Sequence, residues 1–258
     1  MRASTQPRTW RRTGAWWMVS AMALLAVLGP ARAADEREFT SDFRLEDCTW
    51  AWFGSQNPYL SLRPGNQLVL EGEEEDDEGG TVEIQAIITN LRQTKRITFT
   101  TPRGRQITVI ARVVEERESE DGELVEVSRN WFSRCVETGD IFYFGEEVDD
   151  YEDGEIVGHG GGWQAGKNGA QPGLIMPGTF LLGSRYYQEQ APDVALDRGE
   201  NTRMSLTVET PAGTFRDCVE VIDTNELQPD SPGDAKLYCA GVGLVMDESL
   251  VLVERGRV

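Results

Sequence analysis

A single histidine, His159, serves the whole 258-residue chain, and that scarcity removes chemistry at the outset. One imidazole cannot supply the His-rich shell of a typical catalytic zinc. No G-x-S-x-G element occurs, so the sharp turn that presents a hydrolase serine is missing too. None of the four cysteines is spaced C-x-x-C, which leaves zinc-ribbon and thioredoxin-like readings without support. Positive charge is also short, with 25 Lys and Arg against 44 Asp and Glu.

The acidic balance sharpens once the amino end is set aside. Arg2, Arg8, Arg11 and Arg12 form a positive region, Ala15 to Leu28 is an almost unbroken apolar run, and Ala31-Arg32-Ala33 has the small-x-small form of a cleavage site. This run is too short for a convincing membrane span. The Arg11-Arg12 pair hints at a twin-arginine route, but the Thr-Gly-Ala after it is a poor context, so ordinary secretion is expected. Residues 1–33 are expected to be a signal peptide and 34–258 one exported domain, periplasmic or extracellular. Residues 1–33 hold five arginines and no acids, so the expected mature chain has 20 basic and 44 acidic side chains, a net charge of 20 − 44 = −24. Such a field repels nucleic acid and attracts cations and basic partners. It is also an ordinary way for an exported protein to stay soluble.

What is present is strand after strand. Val82, Ile84, Ala86 and Ile88 alternate with Glu83, Gln85, Ile87 and Thr89, and Met204, Leu206 and Val208 alternate with Ser205, Thr207 and Glu209. Period two marks a strand with one buried face. Pro102-Arg103-Gly104, Asp121-Gly122, Thr138-Gly139-Asp140 and Asp153-Gly154 punctuate the stretch from 96 to 158 with hairpin turns, and Pro211-Ala212-Gly213 adds another. Links this short force antiparallel neighbours. The fold class expected is all-β: a single antiparallel meander forming an open barrel or half-barrel. From Gly158 to Gly183 the periodicity fails and glycine and proline dominate, which predicts a long loop, a feature often functional. The acidic run at 72–80 reads as an exposed turn.

Four cysteines in an oxidising compartment predict disulfides, with three pairings open for Cys48, Cys135, Cys218 and Cys239. The acids Asp149, Asp150, Glu152 and Asp153 beside Gly154 are candidate metal ligands, with calcium the ion they would suit. Set on the EF-hand pattern, however, the cluster puts Tyr151 at a ligand position and Gly160 where the bidentate glutamate belongs. His159, in its glycine-rich setting, reads as a turn or packing residue, and no catalytic residue is assigned. Aromatic residues are the stronger signal. Phe142 and Phe144 share one strand face and fit the core, whereas Trp131, Tyr143, Trp163 and Tyr186 are the candidate ligand-binding set, lining a concave apolar wall with polar tips. The apolar run LIMPGTFLLG would form its rim or lid.

Five passages carry a resemblance: NPYLSLRPG, NWFSRCVETGDIFYFGEEVDDY, GGWQAGKNGAQPGLIMPG with SRYYQEQAP, TPAGTFRDC and KLYCAGVGLV. In these the chain resembles a family of exported bacterial all-β proteins, and the resemblance implies no activity. Cys135 and Cys218 match that family's pattern while Cys239 departs from it, which implies pairs Cys135–Cys218 and Cys48–Cys239. The final fifty residues are also similar to open half-barrels that carry lipids or lipoproteins. The function expected is a non-catalytic binding module for an apolar or amphipathic small molecule or lipid, with no cofactor. A cation-binding or protein-interaction module using 73–78 and 149–153 is the second expectation, and an unrecognised hydrolase the third.

Overall fold

A computed structural model describes residues 38–54, 56–75 and 79–258; the expected signal peptide lies outside them, as does part of the 72–80 run. After a short 3-10 turn at Leu45–Asp47 come β1 (Trp50–Ala51), β2 (Asn66–Glu75), β3 (Thr81–Thr100), β4 (Gln106–Glu120), β5 (Glu123–Cys135) and β6 (Ile141–Glu152). The middle of the chain supplies β7 (Glu155–Gly158), β8 (Trp163–Gln164), β9 (Gln171–Met176), β10 (Arg185–Tyr187) and β11 (Glu189–Gln190). The last third forms β12 (Asp197–Thr210), β13 (Gly213–Asn225), β14 (Asp234–Cys239), β15 (Gly243–Asp247) and β16 (Leu250–Arg257). All sixteen belong to one antiparallel sheet, with main order β10-β12-β13-β14-β15-β16-β2-β3-β4-β5-β6-β9-β11.

The hairpins form where the turn chemistry predicts. Asp121 and Gly122 both take positive φ (49° and 82°), as do Asp153 and Gly154 (53° and 79°), the backbone that two-residue primed turns need. Two meanders result, β2 to β6 and β12 to β16, and the β2–β16 ladder joins them. The ends of the strand order, β10 and β11, are separated in the chain by Gln188 alone, so the sheet curls until its edges meet without a ladder across the seam. Thr40 covers part of that edge, its N–H donating to the Arg185 carbonyl at 2.9 Å and its carbonyl accepting from the Tyr187 N–H at 3.0 Å. This occupies backbone groups that an open edge would leave unpaired.

Curling needs a local defect in the long β3, and Arg112 supplies its support. The β3–β4 register slips between Asn90 and Thr94. The buried Arg112 guanidinium donates to the carbonyls of Leu91, Arg92 and Gln93 at 3.0–3.3 Å and to that of Trp52 at 3.1 Å. A bulge of this kind strengthens twist and bends the sheet.

The Gly158 to Gly183 excursion is not all loop, because β8 and β9 within it both pair with β6. Close backbone approach requires glycine on both sides of this pairing, at Gly145 in β6 and at Gly173 in β9. A Cβ on Gly145 would collide with the Trp163 carbonyl, and one on Gly173 with that of Gln188. Two apolar clusters fill the interior, one around Trp131, Phe142 and Phe144, the other around Leu70, Val221 and Leu252; Phe132 and Ile175 pack against both.

The disulfides differ from the pairs the resemblance implied: they are Cys48–Cys135 and Cys218–Cys239. Strand register is the physical reason. Cys218 lies directly opposite Cys239 in the β13–β14 ladder, and Trp50 opposite Cys135 in the β1–β5 pair brings Cys48 alongside. Their Cα separations are 4.0 and 5.1 Å.

Candidate functional site

The curled sheet leaves a cleft of about 700 Å³, lined from both meanders. That size is typical of small-molecule sites. Its lining follows period two along β4, β5 and β14. Val114, Glu116 and Glu118 face it from β4, Glu126, Ser128, Asn130 and Phe132 from β5, and Lys236 and Tyr238 from β14.

One part of the wall is apolar: Leu60, Leu68, Ile88, Phe132, Ile175 and Leu244, all belonging to or packed against the second core cluster. The register then runs from apolar to acidic. Phe132 faces Tyr143 across β5 and β6, Glu116 faces Ser128 across β4 and β5, and Glu118 faces Glu126 two positions nearer the turn. Glu146 on β6 completes four carboxylates on this wall, and Glu189, Asp197, Asp223 and Asp247 add four more opposite. Arg255 and Arg257 reach the lining at the β2 side, where Arg255 lies over the Phe215 ring and Arg257 donates to the Pro64 carbonyl.

Within the acidic part the one ammonium is Lys236, from one of only three lysines in the chain. Its Nζ lies 3.0 Å from Asp247 Oδ2 and 3.7 Å from Asp223 Oδ2. Asp223 also accepts from Gln188 Nε2 at 2.9 Å, tying the seam residue to the cleft. Burial alone would lower the lysine's pKa, but Asp247 and Asp223 outweigh it and hold the ammonium charged. The acids respond oppositely. They are half-buried, reached by water through the cleft but surrounded by protein. Desolvation lifts Glu116 to about 7 against the pull of Lys236, and Glu146 to about 7 against the pull of the neighbouring Tyr143 hydroxyl. Asp223 rises to about 6, again by desolvation, and Glu189 well above its ordinary value by desolvation with Asp197 beside it. Tyr238, 7% exposed, lines the same part of the cleft, and burial pushes its phenol well above the ordinary range.

The aromatic residues singled out from the sequence are all buried, but they do not share one wall. Tyr143 lines the cleft and donates a short hydrogen bond to Asn130 Oδ1. Trp131 and Trp163 instead line a second hollow of about 460 Å³, with Lys95 Nζ 4.3 Å above the Trp131 ring. Tyr143 and Trp163 pack edge to face at 5.3 Å, and Glu146 borders both hollows. Tyr186 lines neither: it sits in the first core cluster and donates to Asn201 Oδ1 at 2.9 Å. The LIMPGTFLLG run divides likewise. Met176 and Phe180 are core, Ile175 lines the cleft, and Leu181 and Leu182 are exposed.

Two of the acids at 149–153 are engaged within the protein. Asp149 accepts from Arg129 at 2.8 Å and lies 2.9 Å from His159 Nδ1, while Asp150 accepts from the Gly160 N–H. Arg129 first, then His159, holds the Asp149 carboxyl below its usual range. Glu152 and Asp153 sit at the β6–β7 turn. His159 borders the second hollow, whose lining includes no serine, threonine or cysteine for an imidazole to activate. Among the described residues, the one group of three donor atoms close enough for a shared metal ion is Cys48, Cys135 and Glu137, and both of its sulfurs are in the disulfide. No described helix is long and apolar enough to cross a membrane.

No protein-family model, no curated protein and no solved structure matches the chain. Any function must therefore be argued from the cleft itself. Reading strands one face at a time would have pointed to it. Val114-x-Glu116-x-Glu118 and Glu126-x-Ser128-x-Asn130 are polar on the face that a curled sheet turns inward.

Proposed function

We propose that the chain is an exported, non-catalytic binding module that holds an apolar or amphipathic small molecule in the cleft of the half-barrel. The supporting observation is the cleft's divided lining, apolar around Phe132, Ile175 and Leu244 and polar opposite, at a volume suited to a ligand. Two disulfides and the signal-like amino end support the export. The binding surface is the Tyr143 hollow rather than one formed jointly with Trp131 and Trp163. The test is native mass spectrometry of protein taken from its own host, repeated after denaturation. A co-purifying mass lost on denaturation is the expected result and identifies the ligand class; a clean apo mass overturns tight carriage of an abundant ligand.

A further inference from the structure

Strand β16 changes face part-way along its length. Leu252 lies opposite Leu70 in the β16–β2 ladder and Arg255 lies opposite Leu68, and directly opposed residues share a face. Leu252 and Leu70 are fully buried in the second core cluster, so that face is the interior one. Arg255 stands three positions after Leu252, where strict period two would turn it outward. The register slip between Leu252 and Glu254 reverses this, because one extra residue re-aims those that follow. Arg255 and Arg257 therefore join the cleft lining.

The slip also parts two strands. β16 pairs with β15 at Met246↔Val251 and Asp247↔Leu250, and beyond Leu252 its ladder runs with β2 alone. Where they part, the cleft is lined by Gly243 and Leu244 from β15 and by Arg255 and Arg257 from β16. Both arginines are exposed, and a Cβ on Gly241 or Gly256 would meet nothing within 4 Å, so the cleft meets solvent at this lip. The Arg255 guanidinium lies 5.3 Å from the centroid of the Phe215 ring and Arg257 donates to the Pro64 carbonyl; neither has a carboxylate partner among the described residues. Behind the lip the lining turns apolar and then acidic. Arg255, Leu68, Ile88 and Glu116 are successive partners across β16, β2, β3 and β4. Three strand spacings, about 14 Å, thus separate the cation's strand from the carboxylate's. The acidic end already holds a cation, Lys236, between Asp223 and Asp247, whereas the arginines of the lip lack a counter-charge.

From this arrangement we infer that the ligand is a single-chain anionic amphiphile of the fatty-carboxylate type, its head held by Arg255 and Arg257 at the lip and its chain laid along Leu68, Ile88, Phe132 and Leu244. This rests on the amphipathic-ligand reading above and specifies the head and its orientation. The inner carboxylates repel an anion placed the other way round, so one orientation is favoured. The protein's net negative charge opposes approach at long range, but physiological salt screens it beyond about 8 Å. At contact the guanidinium groups dominate, through charge-assisted hydrogen bonds.

The test is calorimetric titration of the disulfide-bonded protein with octanoate, octanol and octylamine, which share a chain length and differ in headgroup. Octanoate should bind about tenfold more tightly than octanol, as expected for a charge-assisted hydrogen bond, and more tightly than octylamine. Arg255→Gln with Arg257→Gln should bring octanoate down to the level of octanol, whose own unchanged affinity shows that the cleft is intact. Octanoate bound no better than octanol, or a preference that survives the paired glutamine substitution, would overturn the anionic head at the lip and leave the amphipathic cleft standing. Tighter binding of octylamine than of octanoate would do the same. Failure of all three to bind would overturn both readings.

Discussion

Glu116 offers the sharpest check on the interior charge, because its cost can be worked from the structure. Its carboxyl titrates at about 7 in the folded protein against an ordinary 4.5, raised by burial. Between those two values the native state keeps a proton that the unfolded chain has released. Stability with respect to this group is therefore full below about pH 4.5, falls as pH rises, and levels off above about 7. A gap of about 2.5 pH units corresponds to about 3 kcal/mol at about 1.4 kcal/mol per unit. Water entering the cleft reduces this, so about 1–3 kcal/mol is the working figure. Glu116→Gln keeps the shape and removes the ionisation. Urea unfolding should find the variant about 1–3 kcal/mol more stable than the parent at pH 8 and indistinguishable from it at pH 4.5. A variant equally or less stable at pH 8, or shifted by the same amount at both pH values, would refute the desolvated-carboxylate account.

Peptide mapping without reduction should recover Cys48 linked to Cys135 and Cys218 linked to Cys239; any crossed pair refutes the register. The first bond spans 87 residues and the second 21, so removing each pair by double alanine substitution should cost about 5 and about 3 kcal/mol in denaturant midpoint analysis, in that order. Arg112→Met leaves four carbonyl groups without their shared donor and should lower stability by about 3 kcal/mol or more, measured by thermal unfolding; a change under about 1 kcal/mol would show that the β3 bend does not depend on it.

The hairpins were legible because each is a local event. Asp121-Gly122 and Asp153-Gly154 carry the positive φ of their turns in two adjacent letters, and the antiparallel half-barrel follows from such links. What depends on distant strands was not legible in the same way. The disulfide pairs follow from registers between β13 and β14 and between β1 and β5, and a one-residue slip in either would part the sulfurs. Trp131 and Trp163 read as companions of Tyr143, yet Trp131 lies between the cleft-lining Asn130 and Phe132 on β5 and so takes the opposite face, where Trp163 of β8 joins it at another hollow. The acidic runs at 73–78 and 149–153 drew notice by density. The acids of the cleft are scattered from Glu116 to Asp247, and only the curl of the sheet collects them.

That curl also relates the disulfides to the cleft. Cys218–Cys239 links β13 to β14, the wall that carries Asp223, Lys236 and Tyr238. Cys48–Cys135 fastens the end of β5, whose Glu126, Ser128, Asn130 and Phe132 form the facing wall. Each wall of a charged hollow is thus braced by one covalent link. Repulsion among half-buried carboxylates works to spread such a sheet, and an open seam at Gln188, where no ladder crosses, is the place it would yield. Cross-links outside the lining resist that opening without occupying the cleft.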